Sequence, residues 1–173
     1  MLSQGHVMAI EFIVEDGTGL STATSYVSIA EFQQYWTNRG TDYTNGTTYP
    51  EVTLQGWLNE ATAYADLTYC WGGSLSDDDQ ALAVPRIGWV DVYGRDLDAS
   101  VPEFLKNGVC ELAGKRKGVD PEASASVGIA AKRYGPVSVS YRGGGNGKTI
   151  KYPTAEKWFN KMMLCGGLKA WPL

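Results

Sequence analysis

The chain has 173 residues, 43% of them hydrophobic, which is enough for one domain with a substantial core. A net charge of −4 gives no overall attraction to a nucleic-acid backbone or an anionic membrane. No stretch is apolar for long enough to cross a bilayer, no signal peptide is evident, and the odd, scattered set Cys70, Cys110 and Cys165 reads as buried thiols of a reducing cytosol.

Residues 1–9 read as a flexible extension, with Met8 an alternative start, and a single domain is expected over 10–167. Ile10 to Val14 alternate weakly as a strand, and Glu15, Asp16, Gly17, Thr18 and Gly19 make a turn. Ser28 and Glu31 form a capping-box pair, which predicts a helix with Ile29, Phe32 and Trp36 inside and Gly40 as its stop. Thr41 to Pro50 reads as a polar surface loop. From Leu54, residues Leu54, Trp57, Leu58, Ala61, Tyr64 and Ala65 recur at three-to-four-residue spacing, the apolar face of a long helix closed by Gly72 and Gly73.

Ser76 before Asp77, Asp78 and Asp79 predicts a second, short helix ending at Pro85. Ser100 and Glu103 repeat the capping-box pattern around Pro102, and Val101, Phe104, Leu105, Val109, Leu112 and Ala113 form the buried stripe of another long helix. The expected core is these two long helices face to face, with the short helix and a bent ribbon between them. Residues 118–126 read as a linker of small residues. Val137, Val139 and Tyr141 alternate with serines as a strand, the tract Arg142 to Lys148 (RGGGNGK) as a hairpin tip, and Thr149 to Tyr152 as the return, a hairpin of about 133–152. Pro153 opens a last helix carrying Trp158, Phe159, Met162 and Met163, stopped by Gly166 and Gly167 before the tail 168–173. The expected fold is mainly α, a small helical bundle with a short β-hairpin and long loops.

Catalytic chemistry finds little footing. His6 is the only histidine and sits in the extension, which removes imidazole-based triads and most zinc sites. The glycine tract fails as a phosphate loop, because Arg142 stands where the motif needs its first glycine and Lys148 leads into a strand-like segment. The three aspartates lack the alternation of a calcium loop, and Glu103 and Glu111 have no evident partner acid. The aromatic residues suffice for base stacking, yet the one dense basic run, Lys115, Arg116 and Lys117, sits at a helix end where positive charge is locally favoured. No enzyme, metal or cofactor is expected.

The opening VEDGTGLSTATSYVSIAEFQQYWTNRG (14–40), the segments EATAYADLTYCWGG, DDDQALAVPRIGWVDVYGRDL and VPEFLKNGVCELA, and the late KRYGPVSVSY and YP carry a resemblance. Together they resemble the head-tail connector or adaptor family of tailed phages, often labelled DnaT-like single-stranded DNA-binding proteins. The chain departs from that pattern at Val84, in place of a tryptophan, and at Cys70 to Gly73, in place of an arginine-rich run. The resemblance implies a virion neck protein, assembled in the host cytoplasm, that forms a dodecameric ring beneath the portal and carries the DNA channel towards the tail. An acidic ring suits such a conduit, since a basic lining would hold passing phosphates. Its implied partners are the portal, further copies of itself, tail or nozzle proteins, and genomic duplex DNA passing without specific binding. No membrane is implied. Leu168, Trp171, Pro172 and Leu173 are then the expected portal-docking residues. Tyr141, Arg142, Gly143, Gly144, Gly145, Asn146 and Lys148 are expected to meet a neighbouring subunit, the tail or the channel. The alternative role is single-stranded DNA binding.

Overall fold

The computed structural model describes residues 11–98, 100–116 and 152–162, together with the backbone of 131–134 and 137–140. In chain order these hold α1 (Ile29–Thr37), α2 (Glu51–Thr68), β1 (Ser74–Leu75), β2 (Arg86–Ile87), α3 (Glu103–Lys115), β3 (Ala131–Tyr134), β4 (Val137–Ser140) and α4 (Pro153–Phe159). The fold is mainly α with short antiparallel β ribbons, β1 with β2 and β3 with β4.

Helix α3 is the centre of the bundle, in contact with α1, α2 and α4. Its buried surface is wider than the single stripe expected: Leu105 and all of Gly108 to Ala113 are buried. Two glycines let partners approach closely. The ring of Phe159 lies against Gly108 and the indole of Trp36 against Gly114, where any β-carbon would collide. Leu54, Leu58, Ala61 and Ala65 of α2 close the other side, with Trp57 and Tyr64 half-buried at its edges. Each fully buried leucine or phenylalanine is worth about 1.5–3 kcal/mol against exposure.

The capping box of α1 forms as expected: Ser28 Oγ accepts from the Glu31 N–H at 3.2 Å, and Glu31 Oε2 accepts from the Ser28 N–H at 2.8 Å. The Glu15 turn also forms. Its buried carboxylate accepts the N–H groups of Gly17, Gly19 and Leu20, all at 2.9 Å. Val14 makes one isolated bridge to Ser25, not the strand expected of that stretch.

Other expectations fail for identifiable reasons. Residues 76–84 are a turn between β1 and β2, not a helix. The Gln80 side-chain oxygen accepts the N–H groups of Ser76 and Asp77 and the Ser76 hydroxyl, so a side chain takes the donors a first helical turn would leave free. Ser100 does not cap α3. Extended Pro102 is the N-cap residue, with no side-chain cap, and the Ser100 hydroxyl donates to the Leu97 carbonyl at 3.1 Å. The loop 41–50 is less polar in effect than in composition: Tyr43 is buried among Phe32, Trp36, Tyr49 and Trp57. Strand β4 forms at Val137 as expected and pairs with β3, Ala131 with Ser140 and Tyr134 with Val137, a pairing not expected from the sequence. The glycine tract 142–148 and the expected return strand from 149 to 151 lie outside the described residues. Finally, Cys70 is disulfide-bonded at the exposed end of α2, which corrects the reading of three buried thiols. Cys110 is the buried free thiol, its ionisation suppressed by burial. The extension, residues 118–126, Met163, Gly166, Gly167 and the tail lie outside the described residues.

Candidate functional site

A tight turn after β2 presents an exposed aromatic side chain, Tyr93, and an exposed cation, Arg95, on one surface. Its organiser is Asp91, fully enclosed. Asp91 Oδ1 accepts the N–H groups of Tyr93 at 2.8 Å and Arg95 at 2.9 Å, and Oδ2 receives the Arg95 guanidinium at 2.6 Å. Burial would raise this carboxyl's pKa, but the Arg95 and Tyr93 donors outweigh it and hold it below the usual range. Gly94 adopts φ 75°, the left-handed conformation the turn needs. The Val92 N–H donates to the Lys161 carbonyl at 3.0 Å, which ties the turn to the end of α4.

The result is a strip drawn from three separate segments. Tyr93, 62% exposed, lies beside Arg95, whose guanidinium is 5.3 Å from the Tyr93 ring centre and 5.4 Å from that of Phe104. Lys161 Nζ donates to the Tyr93 hydroxyl at 2.8 Å and stands 5.7 Å from the Phe104 ring centre. Phe104 stacks on Trp158 with centres 6.2 Å apart and planes 24° from parallel. Arg95 shares its charge with Asp91, whereas Lys161 makes no ion pair among the described residues.

Behind the strip, the Tyr35 hydroxyl donates to Glu111 Oε1 at 2.7 Å, joining α1 to α3. Burial, then this bond, pushes the Tyr35 phenol far up. The Arg39 guanidinium lies 3.5 Å over the Tyr35 ring centre. Between α1 and α3 an open cleft of about 540 Å³ is lined by polar side chains, Gln34, Asn38, Glu103 and Asn107 among them, over a floor of Val27 and Cys110. No group of three acidic, histidine or cysteine side chains is placed to hold a metal among the described residues, and no described helix is long and apolar enough to cross a membrane.

A family model described as "Putative DnaT-like ssDNA binding protein" matches residues 10–171. The chain belongs to that family. No curated protein and no solved structure gives a significant match.

The cations of this DnaT-like chain are divided unevenly along it. Residues 1–114 carry 16 acidic and 4 basic side chains, and residues 115–173 carry 3 acidic and 11 basic ones. The modest net charge conceals a strongly acidic body and a strongly basic last third. The four early cations are all engaged by their own chain. Arg39 covers Tyr35, Arg86 donates to the carbonyls of Gly72, Gly73 and Ala83, Arg95 meets Asp91, and Lys106 meets Glu31 at 2.7 Å.

The residues expected to contact other molecules, Tyr141 to Lys148 and Leu168 to Leu173, lie outside the described residues. Sequence reading missed Tyr93, Arg95, Phe104, Trp158 and Lys161, which are far apart in the chain. The charge division was the signal that could have pointed to the C-terminal end.

Proposed function

We propose that the chain is a non-enzymatic single-stranded DNA-binding protein, with the strip of Tyr93, Phe104 and Trp158 receiving bases and Lys161 receiving phosphate. The observation that carries this reading is the convergence of three aromatic rings with Arg95 and Lys161 on one surface. Stacking a base on an aromatic ring is worth about 1–3 kcal/mol and tolerates any base, provided cations stand near the backbone. The family description and the basic last third support the same reading. Duplex DNA hides its base faces, so the strip favours single strands. The test is fluorescence anisotropy of a labelled single strand and its duplex at low salt. Tighter binding of the single strand, weakened about tenfold by Tyr93→Ala, is expected, since one stacked base lost is of that order. Equal binding of duplex and single strand, or no effect of the substitution, would refute it.

A second reading, the ring-forming connector between phage portal and tail, is favoured by one observation. An acidic body and a basic last third are complementary between neighbours arranged head to tail, and such a contact closes into a ring when its rotation permits. In that reading the glycine tract Arg142 to Lys148 meets a neighbour and Leu168, Trp171, Pro172 and Leu173 dock on the portal. Electron microscopy of the purified protein with and without portal separates the readings: rings beneath the portal favour the connector, and monomers throughout exclude it.

A further inference from the structure

The cleft between α1 and α3 carries two polar pairs that face each other at helical i,i+4 spacing, Gln34 with Asn38 and Glu103 with Asn107. Gln34 Nε2 donates to Asn38 Oδ1 at 2.7 Å, which leaves the Gln34 carbonyl oxygen as an acceptor and the Asn38 amide nitrogen as a donor towards the cleft. The Asn107 amide and the Glu103 carboxylate make no hydrogen bond or ion pair among the described residues. The floor is apolar, with Val27 and Cys110 buried beneath it. A volume near 540 Å³ lies within the range of small-ligand sites and exceeds what one planar base needs.

Four charged side chains line the cleft. Glu31 meets Lys106 at 2.7 Å, Arg39 lies over the Tyr35 ring and 4.0 Å from Glu111, and Glu103 makes no ion pair among the described residues. The lining is therefore close to neutral and suits a neutral planar group. The cleft also adjoins the strip. Glu103, which lines the cleft, directly precedes Phe104 of the strip on α3. A strand laid on the strip therefore has the cleft within reach of its next base.

We infer that this cleft is a base-selective pocket for the same single strand, an inference that rests on the single-stranded DNA reading. It takes a base that has an exocyclic amine beside an acceptor ring nitrogen, such as cytosine, and it disfavours thymine. The Glu103 carboxylate and the Gln34 oxygen accept from the cytosine amine, while the Asn38 and Asn107 amides donate to its ring nitrogen and carbonyl. Thymine presents a carbonyl where the carboxylate stands and so places acceptor against acceptor.

Oligo(dC) and oligo(dT) of equal length, both weakly self-stacking, test this by anisotropy at fixed salt. The wild-type protein should bind oligo(dC) at least roughly fivefold tighter, the low end of discrimination by a well-made base contact. The double variant Gln34→Ala/Asn107→Ala should lose that preference and keep its affinity for oligo(dT), with melting measured to confirm folding. Tyr93→Ala should weaken both oligonucleotides alike. Equal binding of the two by wild type, or a preference that survives the double variant, overturns the pocket alone. If neither oligonucleotide binds, the single-stranded DNA reading falls and the pocket falls with it.

Discussion

Gly108→Ala is the sharpest test of how α4 docks on α3. An added β-carbon would lie 2.6 Å from Cζ and 2.7 Å from Cδ1 of Phe159, and closer still to Cε1. Relaxed carbon contacts are about 3.5–4.0 Å, so the ring must retreat by roughly 1 Å. It has no free space to enter, being fully buried with Tyr69 at 4.6 Å and Trp71 at 5.6 Å between ring centres. Overpacking of this kind costs about 1–3 kcal/mol, and the severity of the clash favours the upper part of that range. Replacing a helical glycine by alanine returns up to about 1 kcal/mol. A net loss of about 1–2 kcal/mol corresponds to a fall in Tm of roughly 2–8 °C for a chain of this size. Gly46→Ala is the control, since nothing lies within 4 Å of its added carbon. Thermal unfolding followed by circular dichroism reads both variants. A Gly108→Ala protein as stable as wild type, or more so, would refute the docking of Phe159 against α3.

Three further outcomes follow from the same contacts. Tyr35→Phe removes the 2.7 Å bond to buried Glu111 and should cost about 1–3 kcal/mol in urea unfolding; unchanged stability would mean that solvent already satisfies that carboxylate. Burial holds the Asp66 carboxyl above its usual pKa, against the opposing bonds from Ala83, Tyr26 and Trp71. The folded state therefore binds that proton more tightly, and the stabilisation is complete below the unfolded pKa of about 3.9 and lost as pH rises through the folded value. The advantage in Tm of wild type over Asp66→Asn should accordingly shrink as pH rises from 4, whereas an advantage that grows would show the carboxylate is held ionised. Lys161→Glu should weaken single-strand binding and lower the slope of log affinity against log salt by roughly one, and an unchanged slope would show that Lys161 meets no phosphate.

The helices were the legible part of this sequence, because the spacing of Leu54, Leu58, Ala61 and Ala65, or of Leu105, Val109 and Leu112, depends on helix geometry alone. Local signals misled where a competing group was close by. Ser76 and the aspartates look like a helix start until Gln80 supplies the acceptor that removes the need for one. Ser100 and Glu103 have capping spacing, but extended Pro102 between them starts the helix later. Strand β4 was legible from the alternation of Val137 and Val139, but its partner β3 was not, because Lys132 and Arg133 give Ala131–Tyr134 no apolar alternation. The strip was not legible, because Tyr93, Phe104 and Trp158 meet only after α4 has packed on α3. Its cationic context was hidden by taking the net charge over the whole chain.

Photo-cross-linking to bromodeoxyuridine-containing single strands, mapped by mass spectrometry, tests the central claim most directly, because it reports which side chains touch bases. The account predicts cross-links on the peptides that contain Tyr93, Phe104 and Trp158, competed away by unlabelled single strand and not by duplex. Cross-links confined to other parts of the chain, or equal competition by duplex, would contradict it.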